Sequence, residues 1–174
     1  VLSRNDRQVI QSNLPLGGVG ISRYALDFRL YEQALNRGVD FIWKPVESVR
    51  FEQDLFTVES RGVKYKARQV LGAWGKRSNL DRTLKRPFFS RESPWIGIKM
   101  HYEAAYPSNQ VGLYTFKGGY GGLSVTETGA VNFCYLVHKD RFRETPDLEA
   151  CTRGLLKEHP SLGSILGTST PLFK

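Results

Sequence analysis

The sequence has little cysteine and no long apolar run. Cysteine occurs twice, at Cys134 and Cys151, without a Cys-x-x-Cys pair, which excludes a disulfide framework and a structural zinc site. No apolar stretch approaches the ~18 residues that a membrane-spanning helix needs. These absences predict a globular protein of the reducing cytoplasm, with no metal site and no membrane span.

Methionine is also scarce. The single one, Met100, lies deep in the chain, and Val1 stands at the first position. The last eight residues, 167–174, are rich in serine, threonine, glycine and proline, a composition typical of a connecting segment. The sequence therefore predicts a piece of a longer protein, whose own N-terminal and C-terminal parts are among its partners.

Basic residues outnumber acidic ones, 25 to 17, which gives a net charge of +8. The basic residues form scattered clusters, and no RNP-like aromatic signature, zinc finger or helix-turn-helix pattern accompanies them. An anionic cofactor or an acidic partner domain accounts for such a surplus as well as nucleic acid does. Nucleic acid is therefore not a predicted partner, and a salt-sensitive nucleic-acid binder is kept only as a third hypothesis.

The first half of the chain predicts a helix and a small sheet. Residues 1–13 have no periodic apolar pattern and predict no regular element. Ser22 is a favourable N-cap for a helix over 22–37. Alternating apolar residues and turn signals then predict a short strand at 39–43 and a three-stranded β-meander over 46–71.

The second half predicts a larger sheet backed by a helix. A basic stretch rich in loop-forming residues, bracketed by Pro87 and Pro94, indicates a boundary between the two halves. Beyond it, about four alternating segments over 95–138 predict an antiparallel sheet, and a helix is predicted at 147–159. The predicted class is α+β.

A glycine turn, residues 72–78, directly follows the predicted meander. Two glycines three positions apart at the end of a strand let backbone N–H groups approach a ligand, because no Cβ stands in the way. Lys76, Arg77 and Ser78 add charge and donors that suit an anion. By itself the pattern is also typical of a plain exposed turn.

Three stretches in this order resemble the middle of a flavoprotein with the p-hydroxybenzoate hydroxylase fold, of the geranylgeranyl reductase and flavin-dependent halogenase branches. Residues 21–30 are similar to that family's R-x-x-L-D-x-x-L helix, whose arginine lies near the FAD. Residues 70–78 are similar to its Gly-Ala-Asp-Gly turn, which closes over the cofactor. Residues 116–122 resemble the glycine-aromatic hairpin of its substrate domain.

The resemblance implies a partial FAD-binding domain at 1–84 and an antiparallel-sheet substrate domain with a C-terminal helix at 85–174. It implies FAD as the cofactor, while Trp74, which replaces the family's aspartate, leaves the use of NADPH open. The implied cofactor-binding residues are Arg23, Gly72, Ala73, Trp74, Gly75, Arg77 and Ser78.

The sheet of the second half is expected to form a platform over the flavin ring. Its aromatic and aliphatic side chains suit an apolar or aromatic substrate. The predicted substrate-binding residues are Met100, Tyr102, Phe116, Tyr120 and Tyr135. The alternative for the same side chains is a core beneath the C-terminal helix. His101, Glu103 and Glu127 are candidate acids or bases, but no pattern positions them, so the catalytic residues stay unassigned.

The predicted function is that of an FAD-dependent oxidoreductase acting on an apolar or aromatic substrate, as a reductase, a dehydrogenase or a monooxygenase. The strand–GxGxxG–helix and the Gly-Asp segment that hold FAD in the family are absent from these 174 residues. The 174 residues alone are therefore predicted to be inactive and without tightly bound FAD. An unpaired sheet edge predicts self-association as a homodimer. The alternative is a non-catalytic, helix-backed β-sheet module that binds an apolar ligand.

Overall fold

The computed structural model describes residues 1–4, 7–75 and 78–172, which form two sheets and five helices. They divide into two units. The smaller unit comprises residues 33–92, and the larger unit combines residues 1–32 with residues from 93 onward. The predicted α+β class is confirmed. The bounds of these units differ from those of the predicted domains, whose functional assignment stays a prediction.

Both units contain helices as well as strands. The helices are α1 (Arg23–Asn36), α2 (Asn79–Thr83), α3 (Lys139–Arg143), α4 (Leu148–Glu158) and α5 (Pro160–Leu166), with one 3₁₀ turn at Pro87–Ser90. The strands are β1 (Leu2–Arg4), β2 (Arg7–Ile10), β3 (Ser48–Glu52), β4 (Leu55–Ser60), β5 (Val63–Ala67), β6 (Trp95–Glu103), β7 (Gly112–Phe116), β8 (Gly119–Val125), β9 (Val131–His138) and β10 (Thr170–Pro171). None of the helices formed by the described residues is long and apolar enough to cross a membrane.

The larger unit is built on a mixed sheet with the strand order β10-β6-β9-β8-β7-β1-β2. Neighbouring strands are antiparallel except β1 and β7, which run parallel. The four central strands, β6 to β9, are the predicted antiparallel sheet. Side chains alternate along them, so that one face is apolar and packs against α4 and α5.

The helical layer follows from local signals. The side chain of Asp147 accepts a hydrogen bond from the backbone N–H of Ala150, at 2.7 Å, and thereby caps α4. Pro160 then occupies the first turn of α5, where its missing N–H costs nothing. The predicted helix at 147–159 is confirmed. Cys151, Leu155, Leu162 and Leu166 of this layer are buried against the sheet.

The expectation that residues 1–13 contain no regular element is wrong. The N-terminal ammonium group of Val1 donates to the carbonyl of Val111 at 2.8 Å, and Leu113 donates to the carbonyl of Val1 at 2.8 Å. These contacts seat β1 beside β7. The sequence of β1 gave no warning, because its partner lies about 110 residues away and the strand is only three residues long.

The smaller unit contains the predicted meander, and β3, β4 and β5 form a separate antiparallel sheet. The first connection, Gln53-Asp54, has positive φ angles of 51° and 61°. The second, Arg61-Gly62, has φ angles of 47° and 77°. Two consecutive positive φ angles are the geometry of type I′ hairpin turns, which fit the twist of the flanking strands.

The predicted strand at 39–43 is wrong, because these residues lie outside any sheet. The N–H of Val39 donates to the carbonyl of Ala34 at 3.1 Å and so continues the end of α1. The rings of Phe41 and Trp43 stack on one another, with centroids 6.0 Å apart. Residues 39–43 therefore show the alternation of apolar side chains that is typical of a strand, but they pair with no neighbouring strand.

Candidate functional site

The glycine turn lies beyond β5, which ends at Ala67, so the predicted meander over 46–71 stops four residues before the turn. Gly72, Ala73 and Gly75 are exposed, and Gly75 has a φ of +75° that favours glycine. Among the described residues, none accepts a hydrogen bond from the backbone N–H groups of residues 72–75. The turn thus presents four N–H donors to a ligand. Arg77, a predicted cofactor contact, lies outside the described residues, as does Lys76.

The indole ring of Trp74 packs against the backbone of its own turn at Gly72. A Cβ added to Gly72 would lie 2.4 Å from Cη2 and 2.5 Å from Cζ3 of the Trp74 ring. Only a glycine at position 72 therefore allows the indole to lie where it does. At its other end the indole Nε1 donates to Oδ1 of Asp81 at 3.1 Å. The predicted cofactor residue Trp74 is fixed inside the smaller unit by these two contacts.

Ser78, another predicted cofactor contact, caps a helix. Its Oγ accepts a hydrogen bond from the N–H of Leu80 at 3.1 Å, at the start of α2. The hydroxyl oxygen thereby satisfies one of the free N–H groups of the first helical turn. Its local role is structural, and its predicted contact with FAD stays a prediction.

Arg23 stands at the start of α1 in the larger unit. Its Nε and Nη2 both donate to the carboxylate of Asp27 at 3.1 Å. The hydrogen bonds and charge of Asp27 raise the pKa of the Arg23 guanidinium. Because the pair is exposed, solvent screens it. Arg23 therefore has a partner on its own helix, and its predicted contact with FAD stays a prediction.

The start of α1 is tied to the large sheet. The N–H and the Oγ of Ser22 each donate to the carboxylate of Glu127, both at 2.6 Å. These two donors lower the pKa of Glu127. Next to them, a Cβ added to Gly20 would lie 1.8 Å from the carbonyl oxygen of Val125, so only glycine fits there. Glu127, a candidate acid or base from the sequence, instead anchors the helix.

The apolar face of the large sheet is covered by helices. Tyr102, Phe116 and Tyr135 are buried in the core, and Met100 packs against it. The phenol of Tyr135 forms a hydrogen bond of 2.8 Å with Oγ1 of Thr152 in α4, and burial raises its pKa. These four predicted substrate residues thus contribute to the core. As substrate contacts they stay predictions, and the alternative of a core under the C-terminal helix describes their position.

The opposite face of the large sheet is open. Lys99 of β6 lies opposite Cys134 of β9, which lies opposite Gly122 of β8, and the first two are exposed. Tyr120, the fifth predicted substrate residue, is 51% exposed on this same face. Tyr120 therefore lies on the face opposite to the other four predicted substrate residues, because alternation shows which residues share a face and not which face the helices cover. The platform over the flavin ring stays a prediction.

A shallow groove of about 510 Å³ lies where β6 ends beside α5. Hydroxyl groups dominate its lining, together with the candidate acid Glu103. The lining residues are Glu103, Ala104, Ala105, Ser164, Ile165, Thr168, Ser169 and Thr170. The groove is polar and open, unlike a site for an apolar substrate.

No protein-family model and no curated protein matches this chain. Solved structures do match it. Halogenase PltM in complex with phloroglucinol and FAD superposes with a TM-score of 0.66 at 16% identity over 87% of this chain and 36% of PltM. The flavin-dependent halogenase CmlS gives 0.68 at 15% identity over 88% and 30% of the respective chains. A flavoprotein/dehydrogenase from Cytophaga hutchinsonii gives 0.67 at 18% identity over 87% and 40%.

This chain has the fold of part of a flavin-dependent halogenase. The resemblance found in its motifs is confirmed at the level of the fold. The chain spans two fifths or less of the length of each of these three structures.

Proposed function

We propose that the chain is the part of an FAD-dependent oxidoreductase that supplies one contact with the cofactor and one wall for the substrate. The observation that supports this most is the exposed 72–75 turn, whose four backbone N–H groups have no acceptor among the described residues. The turn belongs to a chain whose fold matches solved flavoproteins. Neutral N–H donors of this kind suit the carbonyl or phosphate oxygens of a flavin nucleotide.

When bound, FAD would supply the redox chemistry at its isoalloxazine ring. The residues of this chain hold and orient it. The N–H groups of residues 72–75 would donate hydrogen bonds to its polar edge, and Arg23 at the start of α1 is a second proposed contact. Trp74 has an indole at the position where the resemblance implies an aspartate, so the use of NADPH stays open. The choice among reductase, dehydrogenase and monooxygenase chemistry also stays open.

The proposed substrate is apolar or aromatic and lies against the open face of the large sheet. Tyr120 and Leu113 of this face are 51% and 45% exposed and offer an aromatic and an aliphatic surface to such a substrate. The PltM structure is a complex with phloroglucinol, an aromatic compound, and FAD. That pairing supports an aromatic substrate class here.

The alternative, a non-catalytic helix-backed β-sheet module that binds an apolar ligand, would have to bind it outside the layer between sheet and helices. Leu123, Phe133 and Leu155, which lie between these two layers, are each 0% exposed. Side chains packed in this way leave no room for a ligand between the described parts of the two layers.

Titration of the purified 174-residue protein with FAD, followed by amide chemical shifts, tests the proposal. We expect weak, saturable shifts centred on residues 72–75 and no flavin retained through gel filtration, since no GxGxxG segment holds the pyrophosphate. Shifts that are absent at millimolar FAD, or spread evenly over the surface, would contradict it. A yellow protein after gel filtration would show that these residues contain a complete site.

Two glycine variants provide a matched pair for this titration. Gly75 and Gly129 have φ angles of +75° and +83°, and an added Cβ would meet nothing within 4 Å at either position. Both substitutions by alanine therefore cost about 1 kcal/mol of backbone strain. Gly75→Ala should weaken FAD binding about tenfold, while Gly129→Ala should leave it unchanged. Equal effects of the two variants would remove the turn from the site.

The coding sequence offers a second, independent check. If it continues on either side, the proposal expects a strand–GxGxxG–helix upstream and a Gly-Asp segment downstream. Finding neither in a continuing chain would overturn the assignment to a flavoprotein.

A further inference from the structure

The function proposed above leaves one buried acidic residue without a role. Asp81 lies in the short helix α2 of the smaller unit and is 1% exposed. Burying a carboxyl group is costly unless partners compensate for the lost water. Asp81 therefore requires a structural or functional reason for its position.

The contacts of Asp81 are few and uneven. Its Oδ1 accepts the hydrogen bond from Nε1 of Trp74 at 3.1 Å, whereas its Oδ2 has no hydrogen-bond partner among the described residues. Nε of Arg86 lies 3.9 Å from Oδ1, beyond hydrogen-bond distance. The Arg86 guanidinium instead lies 5.4 Å from the centre of the Phe88 ring. Among the described residues, the indole of Trp74 is thus the hydrogen-bond donor to the buried carboxyl group, and Arg86 adds an ion pair without a hydrogen bond.

The same indole determines the shape of the glycine turn. Its six-membered ring lies so close to Gly72 that an added Cβ would overlap it, at 2.4 Å. The ring is held at one end by Asp81 and rests at the other on the backbone of the turn. Displacing the ring would therefore remove the packing that supports the backbone at Gly72.

We propose that Asp81 is a positioning residue for the flavin-binding turn, which it holds in shape through Trp74. The identity of the ligand in this inference rests on the proposed function. The contacts that join Asp81, Trp74 and Gly72 do not depend on it. The hydrogen bond fixes the indole against Gly72, and the indole fixes the direction of the exposed N–H donors before any ligand arrives. A preformed turn loses less conformational entropy on binding than a mobile one.

Hydrogen exchange of the indole N–H of Trp74 tests the geometry without a ligand. The signals of Trp43 and Trp95, which are 78% and 45% exposed, serve as internal references, and Trp74→Phe assigns the remaining signal. Asp81→Leu, which keeps the volume but removes the acceptor, should raise the exchange rate of Trp74 about tenfold or more. Asp81→Asn keeps an acceptor oxygen and should leave the rate within about threefold of the original.

FAD titration of the same variants tests the consequence for binding. Asp81→Leu and Trp74→Phe should each weaken the shifts at residues 72–75 by about five- to tenfold, and the double variant should be no weaker than either one. Asp81→Asn should restore binding. A role in stability alone would lower the unfolding midpoint of Asp81→Leu but leave the FAD affinity of the folded fraction unchanged.

The outcomes separate the two proposals. An indole exchange rate that Asp81→Leu does not alter would overturn the positioning role, whatever FAD does. Faster exchange with unchanged FAD affinity would also overturn it. Faster exchange in a protein that binds no FAD in any variant would overturn the proposed flavin site, while the link from Asp81 to the turn would stand. If Asp81→Leu fails to fold, the indole exchange rate of Asp81→Asn and the FAD affinities of Asp81→Asn and Trp74→Phe decide the matter.

Discussion

The two units of this protein bury different kinds of side chains. The larger unit has one apolar core between its sheet and helices α4 and α5, in which Leu123, Phe133 and Leu155 are 0% exposed. In the described part of the smaller unit, three side chains are buried. Two of them, Ser60 and Asp81, are polar, and the third, Leu80, is apolar. Its aromatic residues are largely open to solvent.

The two units are therefore stabilised by different kinds of interaction. Burial of apolar surface contributes about 25 cal/mol per Å² and holds the larger unit together. The smaller unit relies on directed contacts, such as the 2.7 Å hydrogen bond from Oγ of Ser60 to the carbonyl of Pro45 and the bond from Trp74 to Asp81. Directed contacts fix the geometry of a small region, which is what a ligand-binding turn requires. The larger unit is therefore the scaffold, and the smaller unit carries the more sensitive geometry.

Replacing one aromatic residue by alanine in each unit should give the largest difference in stability loss between the two units. Phe133→Ala removes a completely buried ring and should lower the unfolding free energy of the larger unit by about 3–5 kcal/mol. Phe51→Ala removes a ring that is 58% exposed and contacts Phe56 at a centroid distance of 4.7 Å, so it should cost at most about 1 kcal/mol. Urea unfolding followed by amide signals of β9 and of β4 measures the two. Similar losses would mean that the smaller unit has a core of its own.

A pair of glycine substitutions probes the directed contacts. Gly72→Ala forces the Trp74 ring to move and should destabilise the smaller unit by about 1–3 kcal/mol. Gly122→Ala lies on the open face of the large sheet, where an added Cβ would meet nothing closer than 3.5 Å, and should change stability by no more than about 0.5 kcal/mol. The same urea experiment compares them. A neutral Gly72→Ala would show that the indole moves aside freely.

A polar contact inside the apolar core should matter less than the core itself. Tyr135→Phe removes the hydrogen bond to Thr152, whose hydroxyl keeps its bond of 2.9 Å to the carbonyl of Leu148. We expect a loss of about 1 kcal/mol in unfolding free energy. Tyr120→Phe, at a position that is 51% exposed, should lie within about 0.5 kcal/mol of the original. A loss above about 3 kcal/mol for Tyr135→Phe would mean that the larger unit also depends on directed contacts.

The smallest effect is expected at the anchor of α1, and it depends on pH. Because Ser22 donates two hydrogen bonds to ionised Glu127, the pKa of this carboxylate in the folded protein lies below its ordinary value near 4.5. The anchor therefore contributes fully above pH 4.5 and is lost as the pH falls through the lower folded pKa. Carbon NMR titration of Glu127 measures this, and Ser22→Ala should raise its pKa. A titration that Ser22→Ala leaves unchanged would contradict the anchor.

The elements with local signals could be predicted from the sequence. Alternation of apolar and polar residues predicts the four central strands of the large sheet. Asp147 and Pro160 indicate the bounds of α4. The turn residues Asp54 and Gly62 indicate the connections of the meander. The glycine turn was also found, since two glycines after a strand form a compact pattern.

The rest depends on contacts that are remote in sequence. Alternation placed Tyr102 and Phe116 on one face but did not show that helices would cover it, so the sequence could not decide between a core position and a substrate contact for these side chains. The burial of Asp81 was missed because an aspartate in the first turn of a helix is ordinarily exposed and favourable there. Its partner, Trp74, is by sequence a departure from a motif and an implied cofactor contact, and neither property indicates the hydrogen bond to Asp81.

The parallel pairing of β1 with β7 has a consequence for the order in which this protein folds. At a synthesis rate of about 5–20 residues per second, β1 leaves the ribosome roughly 6–22 seconds before its partner, since about 110 residues separate them. Until then its one sheet neighbour is β2, with which it forms a local hairpin. Closing so long a loop is entropically unfavourable before the hairpin of β7 and β8 exists. Docking of the N-terminal hairpin is therefore a late step, one that mutations in β1 would affect through the rate of unfolding more than the rate of folding.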